Sequence, residues 1–494
     1  MRKVVIAGGG TAGWMAAAAL SKTLGKVLEI SLIESDEIGT VGVGEATIPT
    51  LVTFHRLLDI NEQKFMAAVQ GTFKLGIAFE NWRESGHTYI HSFGTTGRDH
   101  WTAGFQHFWL KARAAGIAED YGAYCLELRA AEKSRFAHLP KTGLNYAFHI
   151  DASLYGKYLR GFSEELGVRR VEGKIVDVGT DTDSGFIESV TLASGERLTG
   201  DLFIDCTGFR GLLIDKTLKS GYEDWSHWLP CDSALAVQSE LNGDALPYTR
   251  SIAHEAGWQW RIPLQHRRGN GIVYSSRHMS DDAARTTLLG SVDEKLLTEP
   301  RQIRFRPGQR LEHWKKNCIA VGLASGFIEP LESTSIHMIQ RSIIRLMQMF
   351  PAEGIKQSDI DEFNQQTRFE NDNIRDFIVL HYYQTKRRDS PFWRDSSSMQ
   401  IPASLDHRIR LFRESARVFK VPNELFSENS WTQVMLGQGI EPLQYHPVVD
   451  VMSDEELARF LHGISAAVAA TLAQLPGHQA YVEQYCKAPD WRDE

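Results

Sequence analysis

The chain is 494 residues long, 42% hydrophobic and 23% charged, with 54 Lys+Arg against 62 Asp+Glu. That composition excludes a disordered, collagen-like or disulfide-stapled chain, and the length allows about three domain-sized units or one large enzyme domain with insertions. A net charge of −8 argues against non-specific binding to a nucleic-acid backbone, which needs a basic field. Cys125, Cys206, Cys231, Cys318 and Cys486 are scattered, with no C-x-x-C. They read as buried thiols of a reducing compartment, and no metal site is expected.

At the N-terminus, Arg2 and Lys3 precede an apolar run through Leu20, which has the outline of a signal peptide. The glycines inside it favour another reading, and a cytoplasmic protein is expected. Val4–Ala7 is β-rich, Gly8-Gly9-Gly10-Thr11-Ala12-Gly13 follows at once, and Trp14–Leu20 is Ala-rich and helical in propensity. This is G-x-G-x-x-G between a strand and a helix. Gly8 permits the tight turn, Gly10 lets the backbone approach a pyrophosphate, and Gly13 allows close helix–strand packing. The helix start offers free N–H groups to the phosphates. A second strand, Val27–Ile33, ends in Glu34, about 20 residues beyond the last glycine, where an acid takes a ribose hydroxyl. Two further strands run into glycine turns, Asp201–Asp205 before Cys206–Gly211 and Cys318–Val321 before Gly322–Phe327. Spread so far apart, they suit an FAD fold interrupted by insertions. A compact NAD module would have finished near Gly200.

Between these segments lie three stretches with chemistry in view. Thr72–Phe79 alternates with period two, Phe73, Leu75, Ile77 and Phe79 opposing Thr72, Lys74, Gly76 and Ala78. Lys74 is then the one long side chain on a face of small residues, although the pattern alone equally describes a strand-edge lysine reaching water. Trp258, Trp260 and Ile262 share one face of Trp258–Pro263 and form an apolar wall, or simply an aromatic core strand. Glu329–Thr334 is expected to open an amphipathic helix carrying Ile336, Ile339, Ile343, Leu346, Met347 and Phe350 on its buried face. Its first turn offers N–H groups to an anion, and Glu332 there would oppose the helix dipole. Near the C-terminus Ala466–Leu475, stopped by Pro476, is too short to span a bilayer and reads as a packed helix.

In this order, Gly8–Gly13, Gly42-Val43-Gly44-Glu45-Ala46-Thr47-Ile48-Pro49, the Lys74 strand, W-x-W-x-I-P at Trp258–Pro263 and Pro330-Leu331-Glu332-Ser333-Thr334 resemble the flavin-dependent tryptophan halogenase family. Arg375–Ile378, His381-Tyr382 and Ser390–Trp393 are similar to it too. The resemblance runs to about Trp393 and more loosely beyond. It implies an α/β (α+β) fold, a glutathione-reductase-like FAD-binding domain with a large, mostly helical substrate domain. Residues 1–350 would form the FAD domain, with substrate-binding segments inserted at about 50–150 and 215–300, and residues 351–494 a mostly helical cover.

The resemblance implies FAD, arriving as FADH2 from a separate NAD(P)H-dependent flavin reductase, and a halide, bromide or chloride, as co-reactant. Oxygen and halide then yield hypohalous acid. That oxidant would reach Lys74, which delivers electrophilic halogen to a small arene as a haloamine or by hydrogen bonding. Glu332 would position the oxidant and accept the arene proton. Candidate cofactor contacts are Gly8, Gly10, Thr11, Ala12, Gly13, Glu34, Ala46, Asp205, Gly322 and Leu323. Ser333, Thr334 and Ser335 are the halide candidates, Ser335 standing where the family usually has glycine. His91 and Phe93 resemble the family's His-x-Phe beside the indole. The segment from Ser430 to Pro442 lacks the Tyr-Tyr and Phe-Trp pairs that hold free tryptophan in tryptophan-specific members, so an indole-like or phenolic arene is expected instead. The competing reading, a flavin aromatic hydroxylase, usually has Gly-Asp where this chain has Gly322-Leu323. A flavin-binding protein that has lost catalysis is at odds with Lys74 and Glu332 occurring together. No nucleic acid or membrane partner is expected.

Overall fold

The structure is a computed structural model, and it describes residues 2–37, 44–139 and 143–489. Gly42 and Val43 of the glycine-rich motif lie outside them. The strand Lys3–Ala7 sits at the centre of a six-stranded sheet, between Glu29–Glu34 and Leu202–Asp205, parallel to both. Cys318–Ala320 and Arg169–Glu172 extend it in parallel on either side, and Trp314–Lys315 closes one edge antiparallel. The sheet is buried on both faces, so its strands read as continuous apolar runs. Val4 and Ile6 join one core with Ala16–Ala19 of the helix Thr11–Leu24, while Val5 and Ala7 join another with Phe203 and Leu213. Alanines let that helix lie close against the sheet. The expected nucleotide layer is therefore present, assembled from strands about 300 residues apart, as insertions into an α/β layer allow.

A seven-stranded sheet carries the other half of the molecule, in the order Arg301–Arg304, Ser233–Ser239, Arg268–Tyr274, Gly257–Pro263, Thr249–His254, Gly76–Glu80, Thr88–Ser92. A small sheet of Gly44–Ala46, Ala147–Asp151 and Thr72–Lys74 lies beside it. The inserted stretch around 215–300 thus contributes mainly strands. From residue 351 on, the described chain is mostly helical, beginning with Gln357–Tyr383, but helices such as Phe105–Ala114 and Ala152–Glu165 precede it.

The single strand expected over Thr72–Phe79 is two strands in two sheets. Thr72–Lys74 pairs with Ala147–Asp151, whereas Gly76–Glu80 pairs with Thr249–His254 and Thr88–Ser92. Leu75 is the corner, its N–H donating to Pro247 O at 2.7 Å and its C=O accepting from Phe93 N at 2.9 Å. Alternation survives the corner, but Phe73 and Leu75 enter one core and Ile77 and Phe79 another.

Two more local readings change. Glu329–Thr334 does not open the helix. Pro330–Glu332 is a separate 3-10 turn, Ser333 reverses the chain with φ +61, and the helix runs Ser335–Gln348. Near the C-terminus Ala466–Leu472 ends a helix, Asp454–Leu472, whose only buried residues are Leu457 and Leu461. It is not packed over its alanine-rich end, where side chains this small expose little apolar area. Among the described residues no helix is long and apolar enough to cross a membrane.

Candidate active site

A cavity of about 300 Å³ lies where the two large sheets meet. Gly10, Thr11, Ala12, Gly322 and Leu323 line one end, Ala46 and Glu45 a flank, and Trp258, Trp260 and Ile262 the facing wall. Ser333 and Ser335 close it. The glycine fingerprint fits a dinucleotide here. A Cβ on Gly8 would stand 2.3 Å from Cys206 O, and one on Gly13 would stand 1.9 Å from Gly8 O, so both must be glycine. A Cβ on Gly10 would meet nothing within 4 Å, leaving open space before the first turn of Thr11–Leu24. Gly10 caps that turn with no side-chain acceptor, so its N–H groups are free for an anion. Gly9, which the pattern leaves unassigned, is also constrained: a Cβ there would run into the Glu34 carboxylate, 1.7 Å from Oε2. These residues fit FAD.

Two expected cofactor residues, Glu34 and Asp205, stand off the cavity lining. Glu34 stands beside the glycine turn, but its carboxylate already accepts from Trp14 Nε1 at 3.1 Å and from Arg170 Nε. It retains acceptor capacity for a ribose hydroxyl, since a carboxylate offers about four lone-pair sites. Asp205 is fully buried and does not line the cavity. Its Oδ1 accepts from Thr207 N and Oγ1 at 2.9 and 2.7 Å, and its Oδ2 from Leu213 N and Ile214 N, both at 2.8 Å. It shapes the turn after the strand and is not a direct cofactor contact; four donors leave it no free valence.

Lys74 is the end residue of its strand and wholly buried. Its Nζ donates to Thr47 O at 3.0 Å and to Ser333 Oγ at 2.7 Å, and it lies 5.3 Å from the Phe93 ring centre. Burial lowers its amine to about 7, with the Glu332 carboxylate pulling the other way. A neutral amine has two N–H bonds and one lone pair, so two acceptors satisfy it and leave the lone pair free. An ammonium in the same place would keep a third N–H unpaired. Thr47 is itself fastened, exchanging hydrogen bonds of 2.9 Å each way with Phe148.

Glu332 is also buried, and two imidazoles bracket it. His91 Nδ1 donates to Oε2 at 2.8 Å, and His381 Nε2 stands 3.0 Å from Oε1. That second pair is out of line for a hydrogen bond. Burial alone would raise this carboxyl, but the neighbouring His91 and His381 overcome it and hold the group at about 2.

The fold therefore brings Lys74, His91, Phe93, Glu332 and Ser333 together from three separate segments. The halide triad divides: the Ser333 hydroxyl belongs to Lys74, the buried Thr334 Oγ1 has no partner, and Ser335 opens the helix beside the cavity. Thr47 and His381 were not foreseen. A backbone acceptor leaves no mark in side-chain chemistry, and His381 reads as one more residue of a helix whose Nδ1 meets Phe377 O at 2.8 Å. Glu329 was also missed. It is fully buried, accepts from Trp258 Nε1 at 2.8 Å and Tyr382 OH at 2.6 Å, and is raised to about 7 by burial. It pins the aromatic wall from behind.

A sequence profile described as tryptophan halogenase matches residues 3–454. The tryptophan 6-halogenase SttH of Streptomyces toxytricini is 37% identical over 478 residues, covering 90% of this chain and 91% of that protein. Among solved structures, Xcc4156, a flavin-dependent halogenase from Xanthomonas campestris, superposes with a TM-score of 0.98 at 63% identity, covering 99% of both chains. BrvH, a flavin-dependent halogenase from Brevundimonas sp. BAL3, gives 0.94 at 44% identity, again over 99% of both.

Proposed function

The chain belongs to the tryptophan halogenase family and is a flavin-dependent halogenase, and from that premise we propose that it halogenates an arene lacking the amino-acid zwitterion, with Lys74 delivering the halogen. The aromatic hydroxylase reading falls away with the family assignment. Reduced FAD, which a separate NAD(P)H-dependent flavin reductase would furnish, supplies hypohalous acid with oxygen and bromide or chloride. Gly10, Thr11, Ala12, Ala46, Gly322 and Leu323 would hold the cofactor, and Thr334 with the helix start at Ser335 would hold the halide. The single observation carrying the reading is the Lys74 amine, buried between Thr47 O and Ser333 Oγ with a lone pair left over. Ser333 lines the cavity and accepts from the amine, so one residue joins the two. The five cysteines, all free, suit a cytoplasmic setting.

Trp258, Trp260 and Ile262 line the cavity on the face expected of a wall. Trp260→Ala is expected to raise peroxide or free hypohalite released per haloarene formed, measured by product balance. Unchanged coupling would make the indoles plain core residues.

The substrate reading rests on the segment expected to hold an amino acid. The helix Glu428–Gly437 lies on the His91 strand through neutral amides, Gln433 Oε1 accepting from Ser92 N at 2.9 Å and Asn429 Nδ2 donating to Gly94 O at 2.6 Å. The nearby buried acid, Glu424, is already taken by Arg408 at 2.9 Å, Trp431 Nε1 at 2.7 Å and Val421 N at 3.1 Å. A zwitterion would enter without partners, at a cost of several kcal/mol per unpaired ion. Indole is expected to exceed L-tryptophan in kcat/KM; a clear preference for tryptophan would overturn this.

A further inference from the structure

Resting on the reading that the arene lies against His91 and Phe93, we infer that His91 Nε2 accepts the arene proton and that Glu332 is its positioning residue. His91 belongs to the strand Thr88–Ser92, and Phe93 follows just past its end. Phe93 is the ring beside the Lys74 amine. His91 is buried, with Nδ1 spent on Glu332 Oε2 at 2.8 Å, while Nε2 is buried with no hydrogen-bond partner. An unpartnered imidazole nitrogen in such a place is costly unless a ligand uses it. With Nδ1–H donating to the carboxylate, the neutral ring carries its lone pair on Nε2.

Both Glu332 oxygens, by contrast, face imidazoles, Oε2 at 2.8 Å from His91 Nδ1 and Oε1 at 3.0 Å from His381 Nε2. His381 is less suited to accept that proton, because its Nδ1 is tied to Phe377 O and its Nε2 is the atom turned to Glu332.

Hypohalous acid held at Lys74 gives its halogen to a ring carbon, forming C–X. The electron pair of the broken O–X bond stays on oxygen as hydroxide, which takes over the proton that His91 next receives from the ring and leaves as water. The C–H bond then breaks, its pair returns to the ring, and the proton passes to His91 Nε2. The imidazolium so formed faces the Glu332 carboxylate, a general base paired with a carboxylate that holds its tautomer.

His91→Phe and His91→Gln are compared with the native enzyme on indole and on indole deuterated at the position halogenated. The native enzyme is expected to show no primary isotope effect on kcat. Both variants are expected to lose roughly 10²–10⁴ in kcat, the usual span for a positioned base, and to gain a clear primary isotope effect. The circular dichroism spectrum and the melting temperature of both variants should match those of the native protein, which shows folding intact. A loss of packing alone would lower kcat or raise KM without an isotope effect, and that result overturns the inference. In flavin-free protein labelled with ¹⁵N-histidine, the signal absent from His91→Phe should report one protonated and one bare ring nitrogen; two protonated nitrogens would also overturn it. If Lys74→Ala still halogenated regioselectively, the underlying reading would fail instead, so the two failures are distinct.

Discussion

Lys74→Ala is expected to abolish regioselective arene halogenation while reduced flavin still consumes oxygen at the native rate. The amine acts after the flavin-side chemistry, separated from the cavity by Ser333, so its removal leaves FAD binding and oxidant formation alone. Haloarene yield by mass spectrometry, scored beside oxygen uptake, checks this. Regioselective bromination by the variant would remove Lys74 from the mechanism. The same amine sets a pH dependence. Burial brings it to about 7, and the lone pair that carries halogen exists only in the neutral form. Product formed per hypohalite generated should therefore rise with pH through about 7 and level off above it. A yield that climbs as pH falls would mean that the ammonium, hydrogen-bonding the oxidant, is the working form.

Glu332→Gln is expected to lower kcat by roughly 10²–10³, the effect of deleting one charge-stabilising group from a buried site. The cationic arene formed when the halogen adds, and the imidazolium formed when the proton leaves, both develop beside this carboxylate. Glutamine keeps the volume and an acceptor for His91 Nδ1 but removes the charge, so the interaction lost is the one made in the transition state. FAD affinity, followed by flavin fluorescence, should hold, because Glu332 does not line the cofactor cavity. A rise in KM alone, or loss of bound FAD, would show that its role is structural.

Much of the nucleotide site is legible along the chain, because its logic is local. Gly8, Gly10 and Gly13 answer to a turn and a helix start within one short segment, and the strand, turn and helix appear where those residues require them. Lys74 stands out by period-two alternation, and the Trp258–Ile262 face is correctly the cavity side. Gly9 shows the limit even there, since its constraint comes from Glu34 on another strand.

The resemblance of ordered motifs supplied the family, the cofactor and the roles offered for Lys74 and Glu332; periodicity could not have done so. What neither supplied is set by contacts between distant segments. Leu75 turns one apparent strand into two because Pro247 and Phe93 satisfy its backbone, and no alternation pattern records the partner of an N–H. Asp205 is drawn into its own loop by four donors, although its place at the end of a strand reads as a cofactor position. Glu332 looks like a first-turn acid and is instead a carboxylate between His91 and His381, 241 residues away on one side and 49 on the other. The sequence by itself determined which residue types are present and which short segments they shape. Only the tertiary structure decided which of them are charged, which proton each can take, and which nitrogen is left unpaired, because burial and hydrogen-bond partners, not residue identity, set those states.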